Sequence, residues 1–93
     1  MIKKFRKKMP VVEAIKFIDT TENLDEITGF LSDKGIKEFK VDYSDRNNPV
    51  LIIEKNGVIR VKKGEYLVNG AMMYSCRPNI FEKNFEEVKE WLP

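Results

Sequence analysis

The Asn56-Gly57 dipeptide is the feature of this sequence that most constrains its fold. It separates two runs rich in β-branched residues, 50–55 and 58–62. Asn-Gly is favoured where a type I′ turn requires positive φ at both central positions, and such a turn joins antiparallel strands. The segment therefore predicts a tight β-hairpin, which any fold of this chain has to contain.

A two-residue turn also fixes which residues of the hairpin share a face. Ile53 is expected opposite Arg60, and Leu51 opposite Lys62. The cleaner apolar face, expected to pack on a helix, holds Val50, Ile52, Ile59 and Val61. Leu51 and Ile53 would then form an apolar patch framed by Arg60 and Lys62, which suits a subunit interface or a pocket for an anionic, partly apolar ligand. The alternative is that the long cationic side chains merely shield two aliphatic residues.

The segment before the hairpin predicts a strand, a helix and an edge strand. Residues 11–18 are rich in β-branched and aromatic side chains, which favours a strand. Residues 23–26, Asn-Leu-Asp-Glu, have the form of a capping box, and apolar residues follow at helical spacing until Gly35, which is placed to end the helix. The alternation over 36–41 predicts an edge strand with one modest apolar face.

The segment after the hairpin predicts two further strands and a helical end. A strand over 66–68 is followed by a second Asn-Gly, which returns the chain into a strand that Pro78 closes. Residues 79–82 suggest a helical turn. Residues 84–87 repeat the capping-box form and predict a last short helix.

These elements predict a single α+β domain over residues 1–93. The expected architecture is a curved antiparallel sheet of five to six strands, with one packed helix and a short C-terminal helix. A chain of 93 residues has a thin core, so a homo-oligomer is expected to finish burying its apolar faces.

The net charge of +2 is too small to indicate a polyanionic partner, but the charges are unevenly distributed. Cations crowd the first eight residues: Lys3, Lys4, Arg6, Lys7 and Lys8. Carboxylates crowd the last dozen: Glu82, Glu86, Glu87 and Glu90. Either the two ends lie near each other, or the basic end is an arm that binds phosphate.

The residue types present argue against catalysis. The chain has no histidine, which removes the commonest general base and metal ligand together. Its single cysteine, Cys76, has no imidazole to activate it and no partner for a disulfide, which fits a reducing compartment. We therefore expect no enzyme activity, cofactor or metal. No apolar run is long enough for a membrane span, and the cytoplasm is the expected location.

Binding remains as the expected role. The candidate ligand-binding residues are Arg60, Lys62, Tyr66, Tyr74 and Arg77, because aromatic and cationic side chains are the groups that bases and phosphates require. The alternative is that the rings complete the core. A nucleic-acid module would show a more basic surface or a recognisable motif, so nucleic acid is not the expected partner.

Four segments resemble a family of small phage and prophage proteins known for a Pro-Gly-Asp-Tyr-Gly-like motif. They are FRKK at 5–8, PVVEAI at 10–15, KGEYLV at 63–68 and YSCRPNIFEK at 74–83. The sequence departs from the family pattern at Lys63 and Glu65, where proline and aspartate are more usual, and at Met9, which displaces the first proline.

The resemblance implies a phage origin, and small phage proteins without catalytic residues usually act by binding. The leading interpretation is a homo-oligomeric counter-defence protein that sequesters a nucleotide-derived immune signal in the host cytoplasm. One alternative is a protein–protein adaptor or inhibitor that masks a host or virion protein through its edge strand or basic arm. Another is a nucleic-acid-binding accessory protein.

Overall fold

The computed structural model of the chain describes residues 2–6, 11–55 and 57–87, with the side chains of all but Arg6 and Val11. Within these ranges the strands are β1 Lys3–Arg6, β2 Val11–Lys16, β3 Lys40–Asp42, β4 Val50–Glu54, β5 Val58–Lys62, β6 Tyr66–Asn69, β7 Met73–Cys76 and β8 Glu86–Glu87. The helices are α1 Thr21–Ser32 and α2 Pro78–Asn84. The α+β prediction is confirmed.

The strands form two antiparallel sheets. The larger sheet has the order β7-β6-β2-β1-β8, and the smaller sheet has the order β3-β4-β5. The two sheets come together where β5 lies beside β7. The predicted curved sheet is therefore built from two sheets that wrap around a shared core.

The larger sheet is apolar on both faces and separates two clusters. Ile15 and Leu67 lie opposite each other on one face, and Ala14 and Val68 on the other. The first face joins α1 and the smaller sheet in the main core, whose buried members are Ile15, Phe17, Ile27, Phe30, Leu31, Ile36, Leu51, Ile53, Val61 and Leu67. The second face carries α2 through a smaller cluster of Phe5, Ala14, Val68 and Phe81.

Helix α1 begins differently from the sequence prediction. Its N-cap is Thr20, whose hydroxyl accepts a hydrogen bond from the Asn23 backbone N–H at 3.0 Å. Asn23 is not the cap because its side chain turns back toward β2. Its Oδ1 accepts from the N–H groups of Ile18 and Asp19, and its Nδ2 donates to the Lys16 carbonyl at 2.7 Å.

The end of α1 confirms the role predicted for Gly35. This glycine has φ of 79°, the left-handed conformation that side chains disfavour. The Ile36 N–H donates to the Leu31 carbonyl at 2.9 Å, and the Gly35 N–H donates to the Ser32 carbonyl at 3.0 Å. This pair of bonds is a Schellman motif, and it directs the buried Ile36 into the main core.

The predicted register of the β4–β5 hairpin is wrong by one residue. Glu54 lies opposite Val58, so three residues rather than two connect the strands, and Leu51 lies opposite Val61. A one-residue shift turns every side chain to the other face. Leu51 and Ile53 consequently lie in the main core, each with no exposed surface.

The last described segment also departs from the prediction. Pro78 begins α2 at the first helical position, as its fixed φ favours, so the predicted strand end and helical turn are confirmed. The helix predicted from 84–87 is not formed in that segment. Asn84 ends α2, where its Nδ2 donates to the Ile80 carbonyl, and the next residues pair with β1 as strand β8. Residues 88–93 lie outside the described ranges.

The pairing of β8 with β1 brings the oppositely charged ends of the chain together. Phe5 lies opposite Glu87, and the Lys3 Nζ is 3.4 Å from a Glu87 carboxylate oxygen. Of the two alternatives for the basic end, the described part supports proximity, because β1 lies within the sheet between β2 and β8. Lys7 and Lys8 lie outside the described ranges. No helix in the described residues has the length and apolarity needed to cross a bilayer.

Candidate ligand-binding surface

Tyr66 lies in the smaller hydrophobic cluster rather than on an open surface. Its ring stacks on Phe81 at 4.1 Å, and its hydroxyl donates to a Glu82 carboxylate oxygen at 2.9 Å. Lys16 Nζ lies 5.6 Å from the ring centroid. Burial first, and then the bond to Glu82, raises the pKa of Tyr66 to about 12. The contacts of this residue are therefore largely satisfied within the fold.

The other predicted residues of this region lie around the end of β7. Tyr74 lies opposite Val68 and is 39% exposed. Arg77 immediately precedes α2 and is exposed, and its side chain makes no capping hydrogen bond. Cys76 is half-buried, and burial raises the pKa of its thiol, which favours the unreactive protonated form.

Arg60 and Lys62 lie on the opposite side of the smaller sheet from the main core. They share this outer face with Ile52, which lies between Arg60 and Lys40, and with Val50, which lies between Lys62 and Asp42. The structure therefore places Arg60 and Lys62 together, whereas Tyr66 and Tyr74 belong to the larger sheet.

The outer face carries an apolar patch framed by cations, but not the patch that was predicted. Leu51 and Ile53 were the expected interface residues, and their place in the core excludes that role in the folded chain. Ile52 takes their place. It is only 8% exposed although it lies on the outer face, with Lys40 on one side and Arg60 on the other.

A cleft of about 560 Å³ opens beside Ile52, along the edge of the smaller sheet. It is bounded by α1, the segment leading into β3, and the end of β4. Its lining residues are Thr28, Lys37, Glu38, Phe39, Lys40, Ile52 and Glu54. The cleft thus offers an aromatic ring, an aliphatic floor, ammonium groups and carboxylates within one space.

Lys40, Arg60 and Lys62 form no ion pair with another residue in the described part of the chain. Asp42 of β3 is a carboxylate on this face and lies opposite Val50. It accepts hydrogen bonds from the Ser44 N–H at 2.9 Å and the Ser44 hydroxyl at 2.6 Å. Those bonds first, and then the charges of Arg60 and Lys40, lower the pKa of Asp42.

Sequence reasoning did not bring Lys40 and Ile52 together, because their pairing depends on the strand registers. The alternation over 36–41 already separates Lys40 from Phe39 and Val41, so it places Lys40 on the outer face. A three-residue connection in the hairpin would have placed Ile52 opposite Arg60 on the same face. Its position opposite Lys40 depends on the separate β3–β4 register. The missing signal was the loop length, which Asn-Gly favours but does not fix.

Among the described residues, no cluster of histidine, cysteine or acidic side chains could hold a metal ion. Comparison of the chain with protein-family models, with curated proteins and with solved structures found no match.

Proposed function

We propose that the protein is a non-enzymatic binding protein that holds an anionic, partly apolar ligand of nucleotide size on the outer face of its smaller sheet. The observation that carries this proposal is the row Lys40–Ile52–Arg60. An aliphatic side chain lies between two cations that have no carboxylate partner among the described residues. Such a row attracts negative charge and offers an apolar contact at the same point.

The cleft beside this row has the size and chemistry of a small-molecule site. Its volume of about 560 Å³ lies within the range of known ligand pockets. Lys37 and Lys40 suit phosphate oxygens, and the Phe39 ring suits the face of a base. The carboxylates of Glu38 and Glu54 can accept hydrogen bonds from sugar hydroxyl or base amino groups.

The proposed biological role is counter-defence in a phage-infected host. In this role a homo-oligomer sequesters a nucleotide-derived immune signal, so that the host protein that responds to the signal is not activated. The support for this setting is the resemblance of the two ends of the chain to small phage proteins. The support for the ligand class is the chemistry of the outer face.

Titration of the isotopically labelled protein with adenosine monophosphate, followed by amide NMR shifts, tests the proposal. Residues 37–40 and 52–54 should shift most, because they line or border the cleft. Lys40→Glu and Arg60→Glu should each weaken binding roughly tenfold, because a charge-assisted contact becomes a repulsion. Adenosine should bind more weakly than the nucleotide, since it lacks the phosphate.

The matched control is Lys83→Glu, because Lys83 is an exposed lysine on α2, which packs on the larger sheet. It makes the same charge change and should leave binding unaltered. Native mass spectrometry of protein purified from a bacterial lysate would also show whether a mass of nucleotide size is retained. Shifts confined to other residues, or wild-type affinity in both Lys40→Glu and Arg60→Glu, would contradict the proposed site.

A further inference from the structure

The outer edge of β3 is an unused strand edge. Among the described strands β3 pairs only with β4, so alternate backbone N–H and C=O groups along its other side have no strand partner. Folded proteins generally cover or block such edges because they pair readily with another strand.

The charge pattern of β3 is complementary to that of a second copy placed antiparallel to it. The strand consists of Lys40, Val41 and Asp42. If two copies pair antiparallel with Val41 on a two-fold axis, Lys40 of each copy lies opposite Asp42 of the other. Cross-strand pairs of opposite charge stabilise an antiparallel ladder, and like charges destabilise it. Both charged pairs are favourable in this register.

We infer that the chain forms a two-fold dimer through antiparallel pairing of β3 with β3 of a second copy, centred on Val41. We assign a second copy to this edge because Lys40 and Asp42 of β3 pair with Asp42 and Lys40 of an identical antiparallel strand. A two-fold contact between identical chains requires such a self-complementary surface. The inference concerns the ligand-free protein and does not depend on the proposed ligand.

The charges also disfavour the other ways of pairing two β3 strands. A parallel, in-register pair places Lys40 opposite Lys40 and Asp42 opposite Asp42. An antiparallel pair centred on Lys40 or Asp42 places like charges opposite each other on the axis. The pattern therefore specifies one register, in the way that natural edges use charge against unwanted pairing.

The residues that flank β3 follow the same symmetry. Phe39 precedes the strand and Tyr43 follows it, so the two aromatic residues come opposite each other across the axis. Tyr43 is 48% exposed and has surface available for that contact. Aromatic pairs across strands add to the stability of a ladder. Four residues from Val41, Lys37 and Asp45 repeat the opposite charges in the sequence.

Pairing through β3 joins the outer faces of two molecules into one six-stranded surface. The row of Arg60, Ile52 and Lys40 continues into Asp42, Val50 and Lys62 of the second copy. Lys40 then lies opposite the second copy's Asp42, so an anionic ligand on the outer face competes with this contact for Lys40. Arg60 and Lys62 remain without a partner carboxylate at both ends of each row.

Sedimentation velocity on the ligand-free chain tests the inference. The strand is short, so the dimer should be weak, and it should appear as protein concentration rises from about 10 μM to about 1 mM. Lys40→Asp places an aspartate opposite Asp42 of the other copy, and Asp42→Lys places a lysine opposite Lys40. Each variant should dimerise at least about tenfold more weakly, whereas the exposed control Lys83→Asp should behave as the wild type.

Mixing the two single variants separates this register from general charge effects. One variant then carries two aspartates on β3 and the other two lysines, so a heterodimer should form at least as well as the wild-type dimer. The double variant K40D/D42K should recover self-association for the same reason. Each variant is first compared with the wild type by circular dichroism.

Three results would overturn the inference: a wild type that stays monomeric over the whole range, single variants that dimerise like the wild type, or a mixture that forms no heterodimer. Asp42→Lys removes the bonds to Ser44, so it is the variant at risk of misfolding. If Asp42→Lys misfolds, the inference is tested by Lys40→Asp alone, because Lys40 forms no ion pair among the described residues. Wild-type dimerisation in that variant would overturn the inference, and its loss would support it.

Discussion

At the scale of single residues, Asn23 holds the connection between β2 and α1. It is 2% exposed, and no buried polar side-chain atom in the described residues is left without a hydrogen-bond partner. Its amide satisfies two N–H groups and one carbonyl at a point where Asp19 has φ of 58°. The chain reverses there in a conformation that a non-glycine residue seldom adopts, and the Asn23 bonds stabilise it.

Asn23→Ala should lower the free energy of unfolding by about 2–4 kcal/mol, because three backbone groups lose their partner in a partly buried site. Urea denaturation measures the change. The matched control is Asn84→Ala, since Asn84 is exposed and makes a single bond to the Ile80 carbonyl. Its cost should be about 0.5 kcal/mol or less. Equal costs for the two variants would contradict the role given to Asn23.

The raised pKa of Tyr66 should make the free energy of unfolding depend on pH in the alkaline range. Its pKa in the fold is about 12, above the ordinary value of 10.0, so the folded state favours the protonated phenol. A folded pKa above the unfolded one contributes stability fully below pH 10, and the contribution is lost as pH rises toward 12. Tyr66→Phe lacks this ionisation, so its stability should fall less over that window.

Urea denaturation at pH 9, pH 10 and pH 12 measures this difference, and spectrophotometric titration should show that the last phenol to ionise is missing in Tyr66→Phe. Part of the loss of stability at high pH comes from other ionisable groups and is therefore the same in the wild type and in Tyr66→Phe. If the stability difference between wild type and variant stayed constant from pH 9 to pH 12, the shifted pKa of Tyr66 would be wrong.

At the scale of elements, local patterns predicted the strands and helices better than the faces they present. Gly35 and Pro78 act within a few residues of their position, so the helix end predicted from Gly35 and the strand end predicted from Pro78 are confirmed. The hairpin register is different, because Asn-Gly permits more than one loop length. The choice between them depends on which aliphatic residues meet α1, and that is a tertiary contact.

The observed register makes neighbouring residues of β4 respond very differently to truncation. Leu51→Ala should lower the free energy of unfolding by about 2–5 kcal/mol, because Leu51 is fully buried in the main core. Val50→Ala should cost about 1 kcal/mol or less, because Val50 lies half-buried on the outer face. Thermal or urea unfolding of the two variants shows which substitution lowers the free energy of unfolding more. A two-residue turn would reverse the order of the two costs, so a larger cost for Val50→Ala would refute the observed register.

The same register determined how much of the candidate surface could be predicted. Arg60 and Lys62 were identified correctly as outer-face residues because cations seldom point into a core. Ile52 could not be identified, since nothing in a run of four aliphatic residues shows which two face solvent. Tyr66 was expected at a site because an aromatic ring can stack on a base, but its ring and hydroxyl both contact residues of α2.

At the scale of the whole molecule, the larger sheet couples the two hydrophobic clusters. Strands β2 and β6 each supply alternate residues to both, so neither cluster can open without disturbing the same ladder. The smaller cluster depends on α2, a helix of 7 residues that is too short to be stable alone. We therefore expect the described chain to unfold as one cooperative unit.

Phe81 tests this coupling, because it lies at the centre of the smaller cluster and stacks between Tyr66 and Phe85. Phe81→Ala should lower the free energy of unfolding by about 3–5 kcal/mol and leave a single transition. The matched control on α2 is Ile80→Ala, since Ile80 is 46% exposed and should cost about 1 kcal/mol or less. Far-UV and near-UV circular dichroism should give coincident unfolding midpoints in both variants. An early transition in Phe81→Ala, followed by an unshifted main transition, would show instead that α2 detaches independently of the main core.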